Sequence, residues 1–239
     1  MRIVIWNIIY LGLILLTTIS CSKNNNEHKE VNLDFFHTIK VDDSFNLYLE
    51  EDTCFYLELH ANKDVLKNIS YTINDSILTL DNSTGFKWLS PTENKIELII
   101  HSLPLKEVYL NETCHLQTIN PISSVSFGLI ISAKSNEATL DLNCKTFYYW
   151  NNFPSGGRLT LLGKAEQIKL WNDAIFSVDA SQLIAQKALV ENNSKGNCIV
   201  NVSDYLEYSI TNMGNIYVAN EPREIVEIEL SSSGRLIKQ

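Results

Sequence analysis

The sequence predicts an all-β protein built as a β-solenoid, with a block of N-terminal strands closing one end. Three observations carry that expectation. A small unit recurs seven times in the C-terminal half at a mean spacing of 20 residues, marked by Cys114, Ala138, Gly157, Ala174, Gly196, Gly214 and Gly234. Each marker is flanked by runs of alternating polarity, such as Ile168-Lys169-Leu170 before it and Phe176-Ser177-Val178 after it, which is the two-residue period of strands. Helical periodicity is weak throughout, although Lys63 to Asn68 could make one turn.

The alternation holds when counted. Of the 28 sites at −6, −4, +2 and +4 from the markers, 22 are apolar, among them Val108, Leu110, Leu140, Leu159, Ile168, Leu170, Phe176, Tyr208, Val200, Ile216, Ile228 and Leu236; the 28 interleaved sites hold seven. One face of every unit is therefore made for burial. A unit this small cannot bury its apolar face alone, so successive units must stack, about 4.8 Å apart in the hydrogen-bonding direction. Two residues before the markers stand Glu112, Asn136, Ser155, Asn172, Ser194, Asn212 and Ser232. Apart from Glu112 these are short polar side chains, which bond turn backbone and stack as ladders.

At the start of the chain, Arg2 is the only charge before Lys23, and Ile3 to Ile19 is almost wholly apolar. A positive n-region followed by an apolar h-region is the plan of a secretory signal, expected here over residues 1–20. Thr18-Ile19-Ser20-Cys21 followed by a polar run resembles a bacterial lipobox, which implies lipidation of Cys21 as the first mature residue. Thr18 stands where the lipobox usually has leucine. More than one acyl chain would hold the mature protein at a membrane, an anchor in the bacterial cell envelope and foremost its outer membrane. Residues 21–32 lack apolar periodicity and are expected as a flexible tether.

Residues 33–239 are expected as one domain, with N-terminal strands over 33–105 and the repeats over 106–239. Alternation runs through Phe45, Leu47 and Leu49, then Phe55, Leu57 and Leu59. Ile69 to Ile73, the turn Asn74-Asp75-Ser76, and Ile77 to Leu80 give a hairpin signal. A further strand, Ile96 to Ile100, leads into the first repeat. These strands are expected to cover a solenoid end, since a bare end is an open sheet edge.

The order Phe36-x-x-Ile39-x-Val41, the Asn74 to Leu80 hairpin, Ile96 to Ile100, Leu103-Pro104-Leu105-Lys106-Glu107-Val108 and then small-residue turns resembles the head GIN domain, a family of auto-transporter adhesins common among lipoproteins of Bacteroidetes-like bacteria. The resemblance spans about 33–239 and implies a right-handed parallel β-helix, here with an N-terminal β-meander cap, and an adhesin-like role. The family's Gly-Ser-Gly turns are matched most closely at Ser155-Gly156-Gly157 and Ser232-Ser233-Gly234. Glu112-Thr113-Cys114 and Asn172-Asp173-Ala174 depart from them, as in a diverged member.

Composition and motifs narrow the chemistry. A net charge of −9 on an exported chain disfavours nucleic acid, which attracts basic patches. His28, His37, His60, His101 and His115 show no metal-ligand spacing, so neither a metal nor another cofactor is expected. No phosphate-binding glycine loop or nucleophile elbow is present, and no catalytic residue is assigned. Of the remaining cysteines, Cys144 and Cys198 lie three coils apart and are expected as buried apolar residues; a Cys54–Cys114 disulfide stays open. The most suggestive feature is aromatic: Tyr148, Trp150 and Trp171 could form an exposed strip across adjacent coils, suited to stacking on sugar rings or anchoring an envelope protein. The expected function is thus non-catalytic binding. A carbohydrate-active enzyme, drawing on outward residues such as Asp141, Arg158, Lys169 and Asp173, and a purely structural envelope lipoprotein are the alternatives.

Overall fold

A computed structural model of the protein describes residues 26–85, 95–133, 135–152 and 155–239. The expected leader and Cys21 lie outside the described residues. Among the described residues, sixteen strands join one continuous hydrogen-bonded sheet wound into a β-solenoid. Among the described residues no helix is long and apolar enough to cross a membrane.

The strands form two parallel ladders, and the longest of them bend from one ladder into the other. The first ladder stacks β6 (Ile77–Asn82), β2 (Thr38–Val41), β8 (Glu107–Leu110), β10 (Ser126–Ile131) and the second half of β11 (Asn136–Asn151). It continues through β12 (Gly156–Ser194), β13 (Cys198–Ile210) and β15 (Glu224–Leu230). The second ladder stacks β7 (Glu97–Ser102), β3 (Asn46–Glu51), β9 (His115–Thr118) and the first half of β11. Beyond β12 and β13 it ends on β14 (Ile216–Val218) and β16 (Leu236–Lys238).

In-register pairing puts like residues over like, which is why a sequence period becomes a core. Leu98, Leu47, Leu116, Ala138 and Leu159 stack in one column, and Val178, Cys198 and Ile216 stack likewise in the later coils; all eight are buried. On the first ladder Leu78, Ile39, Val108, Leu129 and Tyr149 do the same. Leu170, Phe176, Tyr208 and Ile216 are buried as their parity requires.

The N-terminal block is built differently from a simple meander. Strands β2 and β3 lie parallel inside the two ladders as an ordinary coil, and the chain then goes outward before returning to β8. The outermost coil, β6 and β7, is covered by antiparallel strands: β5 (Ile69–Asn74) on β6 and β4 (Tyr56–Asn62) on β7. The β5–β6 connection is the expected hairpin; its two-residue loop, Asp75-Ser76, has φ of 51° and 63°, the doubly positive backbone that matches strand twist. A single turn of helix, α1 (Lys63–Leu66), starts on Asn62, whose side chain accepts from the Asp64 amide. The tether expected over 21–32 is corrected from Asn26 onward. Asn26–Asn32 forms strand β1, paired antiparallel with β4 along its whole length, and its polar, charged side chains suit an edge strand that must not recruit another.

Two local expectations are also corrected, and the open cysteine pairing is resolved. Asn136, not Ala138, stands opposite Gly157, and Gly196 packs on the carbonyl of Phe176 rather than on Ala174. Both misplacements are by two residues, which leaves the inward parity intact. Gly157 itself is obligatory: its φ is +140° and a Cβ would lie 1.9 Å from the Asn136 carbonyl oxygen. Ile228 is 53% exposed, because a bulge shifts the register between Tyr208↔Glu227 and Ser209↔Glu229 and leaves Ile228 as the extra residue. Finally, Cys54 and Cys114 do not pair; Cys54 is exposed, and Cys114, Cys144 and Cys198 are buried as free thiols.

The expected polar positions Asn136, Ser155, Asn172 and Ser194 are buried, and Ser194 donates to the Phe176 carbonyl at 2.8 Å; a row of asparagines runs beside them. Asn151, Asn172 and Asn192 are each at most 1% exposed. They occupy successive coils where neighbouring coils carry Ile131 and Ile210. Asn172 donates to Asn192 Oδ1 at 3.0 Å and to the Phe176 carbonyl at 2.9 Å. Asn192 donates to the Gly196 carbonyl at 3.2 Å, and Asn151 brackets Asp173, accepting from its N–H at 2.8 Å and donating to its carbonyl at 3.0 Å. These amides bond the corner backbone that leaves the ladder pattern, where water is excluded.

Candidate functional site

The outward face of the first ladder carries a groove of about 910 Å³. Its geometry follows from register. Trp150 pairs with Trp171 across adjacent coils, and parallel pairing points both indoles the same way, about 4.8 Å apart at the backbone. Ile130 precedes Trp150 in the same row and extends the apolar surface. Trp150 is 47% exposed, while Trp171 and Tyr148 are half-buried. All three aromatic residues singled out in the sequence line this one groove.

Tyr148 forms its floor. The residue opposite it is Gly128, where a Cβ would come within 2.2 Å of the tyrosine ring, so glycine leaves the slot in which the ring lies flat across β10. The ring thereby reaches β8, and the Tyr148 hydroxyl donates to Glu107 Oε1. Tyr109 donates to the other oxygen, Oε2, at 2.9 Å. Burial, and then the bond to Glu107, push the Tyr148 hydroxyl well above the ordinary tyrosine range. Tyr109 is raised by the same causes in the same order. Both phenols therefore remain neutral donors, and the tyrosine is fixed as a platform.

Polar groups surround the aromatic row. Lys169, Asp173, Glu191, Asn193, Thr211 and Glu229 line the groove, and Asn193 Nδ2 donates to Asp173 Oδ1 at 2.6 Å. Lys169 and Asp173 were visible in sequence as outward charges. Asp141 and Arg158 lie instead on the second ladder, so the four do not converge. Glu107, Gly128, Glu191 and Glu229 went unnoticed because their approach depends on which coil stacks on which; the one sequence clue was a glycine at an outward strand site.

A second cluster was invisible to spacing. On the outer face of the cap, β1 pairs with β4 so that His28 stands opposite His60 and Glu30 opposite Glu58. Candidate metal-ligand atoms of His28, Glu58 and His60 lie within 4.8 Å of one another.

The fold is a β-solenoid with an aromatic groove on its outward face. Residues 35–222 match the family described as "Putative auto-transporter adhesin, head GIN domain", and the chain belongs to that family. Its description points to a role at the cell envelope or surface. Crystal structures with the same fold include a "putative adhesin" from Bacteroides fragilis NCTC 9343, 14% identical with a TM-score of 0.81, covering 91% of this chain and 98% of that one. A "putative adhesin" from Parabacteroides distasonis ATCC 8503 is 13% identical with a TM-score of 0.67, covering 90% and 97%. A "putative lipid binding protein" from the same strain is 15% identical with a TM-score of 0.57, covering 91% and 98%. No curated protein sequence matches the chain.

Proposed function

We propose that this chain is a lipid-anchored cell-envelope protein whose solenoid binds a glycan in the aromatic groove, without acting on it chemically. The observation that carries the reading is the coil-to-coil pairing of the half-exposed Trp150 with Trp171 over a tethered Tyr148. Flat apolar rings with polar groups at their edge suit a pyranose, which offers a C–H face to the rings and hydroxyls to Asp173, Asn193 and Thr211. An envelope protein presenting a planar apolar surface is the competing ligand. The apolar leader and the Ser20-Cys21 junction support lipidation at Cys21 and attachment to the outer membrane.

Screening purified protein against glycans and envelope fractions, alongside the Trp150→Ala/Trp171→Ala double variant, tests the reading. Saturable glycan binding that quenches tryptophan fluorescence and falls at least tenfold in the double variant supports it. Equal binding by both proteins, or capture of an envelope protein alone, overturns the glycan reading. Mass spectrometry of the mature N-terminus, with and without Cys21→Ala, tests the anchor.

A further inference from the structure

We propose that His28, His60 and Glu58 form a binding site for a divalent transition-metal ion of the zinc kind, which fastens the N-terminal strand onto the cap. The site is independent of the aromatic groove.

The argument starts from two imidazoles that face each other. His28 Nδ1 lies 3.1 Å from His60 Nε2, and His60 Nε2 lies 3.4 Å from Glu58 Oε2. Tetrahedral zinc with bonds of about 2.0–2.1 Å has ligand-to-ligand edges of roughly 3.3 Å, which these two separations match, and the candidate ligand atoms of all three residues lie within 4.8 Å of one another. The tautomer of His28 is set from behind: its Nε2 lies 3.0 Å from Glu30 Oε1, and that carboxylate accepts the Nε2 proton. The lone pair of Nδ1 is then turned toward His60. His28 Nδ1 also lies 3.4 Å from His60 Nδ1, so both nitrogens of that ring stand close to it.

The supporting groups follow the arrangement seen around metal-bound histidines and carboxylates, which are themselves hydrogen-bonded by outer partners. Glu30 holds His28. Glu58 Oε1, the oxygen turned away from His60, lies 3.0 Å from His101 Nε2. The His101 side chain is only 4% exposed and is stacked on Tyr56 with ring centroids 3.7 Å apart, so Glu58 is held by a rigid donor. His28 is exposed and His60 half-buried, which leaves an entry path and a free fourth position. Antiparallel register alone makes the site, since β1 and β4 are more than 20 residues apart in sequence. The ion would bridge an edge strand whose side chains are nearly all exposed.

Untagged, chelator-treated protein is titrated with Zn²⁺ and Ni²⁺ by calorimetry, and amide exchange of 26–32 is followed with and without Zn²⁺. One equivalent of Zn²⁺, at least tenfold weaker binding in His28→Ala and in His60→Ala, and slower exchange in β1 on loading are expected. Glu30→Gln should weaken binding by roughly tenfold to a hundredfold by freeing the His28 tautomer. His115→Ala, at the other exposed histidine–glutamate pair, should change nothing. Because these side chains lie outside the core, thermal melts without metal should coincide for all variants. Absence of saturable uptake overturns the proposal. So does uptake that survives both histidine variants or is lost in His115→Ala.

Discussion

Replacing Asn151 with alanine should destabilise the solenoid far more than its surface neighbours suggest. The side chain is fully buried and makes three bonds: it accepts from the Asp173 N–H at 2.8 Å, and donates to the Asp173 carbonyl at 3.0 Å and to Ser155 Oγ. Alanine leaves both backbone groups of Asp173 without those partners, next to Ala174, which is already held at a φ of 62°. A deprived buried group costs about 1–3 kcal/mol. Because Asp173 is half-buried and water can reach it in part, the lower end applies to each of the two. The void left by the amide adds about 1 kcal/mol, for a total of about 3 kcal/mol. Urea unfolding followed by circular dichroism measures it, provided the m-value is unchanged. Asn152→Ala, one residue on, removes a 3.4 Å contact to Ser132 Oγ and should cost under about 0.5 kcal/mol. A loss below about 1 kcal/mol for Asn151→Ala would mean that the buried asparagines merely fill space.

Two further outcomes check the core. Leu170→Ala should cost about 2–5 kcal/mol, whereas Ile228→Ala, at the bulge, should stay within about 0.5 kcal/mol; comparable losses in urea unfolding would place Ile228 inside after all. Burial pushes the thiols of Cys114 and Cys198 up to about 12 and that of Cys144 to about 11. Since the thiolate is the nucleophile, these three stay protonated and inert at pH 8, and N-ethylmaleimide should label Cys54 alone among residues 26–239. Labelling of any buried thiol without denaturant, read by peptide mass spectrometry, would show that the coils open readily.

Two-residue alternation was enough to find the coils, because a slip of two, as at Ala138 and Ala174, keeps every side chain on its own face. A slip of one turned Ile228 outward, where a bulge that no local pattern announces adds one position. The covering of the first edge followed from the general need to end a sheet. The route did not: that β2 and β3 lie inside β6 and β7, and that 26–32 returns as an edge strand, depends on pairing partners far apart in the chain.

The same division runs through the sites. Tyr148, Trp150 and Trp171 were legible because outward aromatic residues in consecutive repeats must meet if the repeats stack in register. Glu107 and Gly128, which hold Tyr148 flat, and the approach of His28 to His60 were not, since each contact joins strands whose adjacency only the folded chain decides. The residue sequence thus determined which side chains face inward and how often the chain turns, quantities set by local backbone geometry. Tertiary structure decided which coil lies against which, and with it every group of residues assembled from more than one strand.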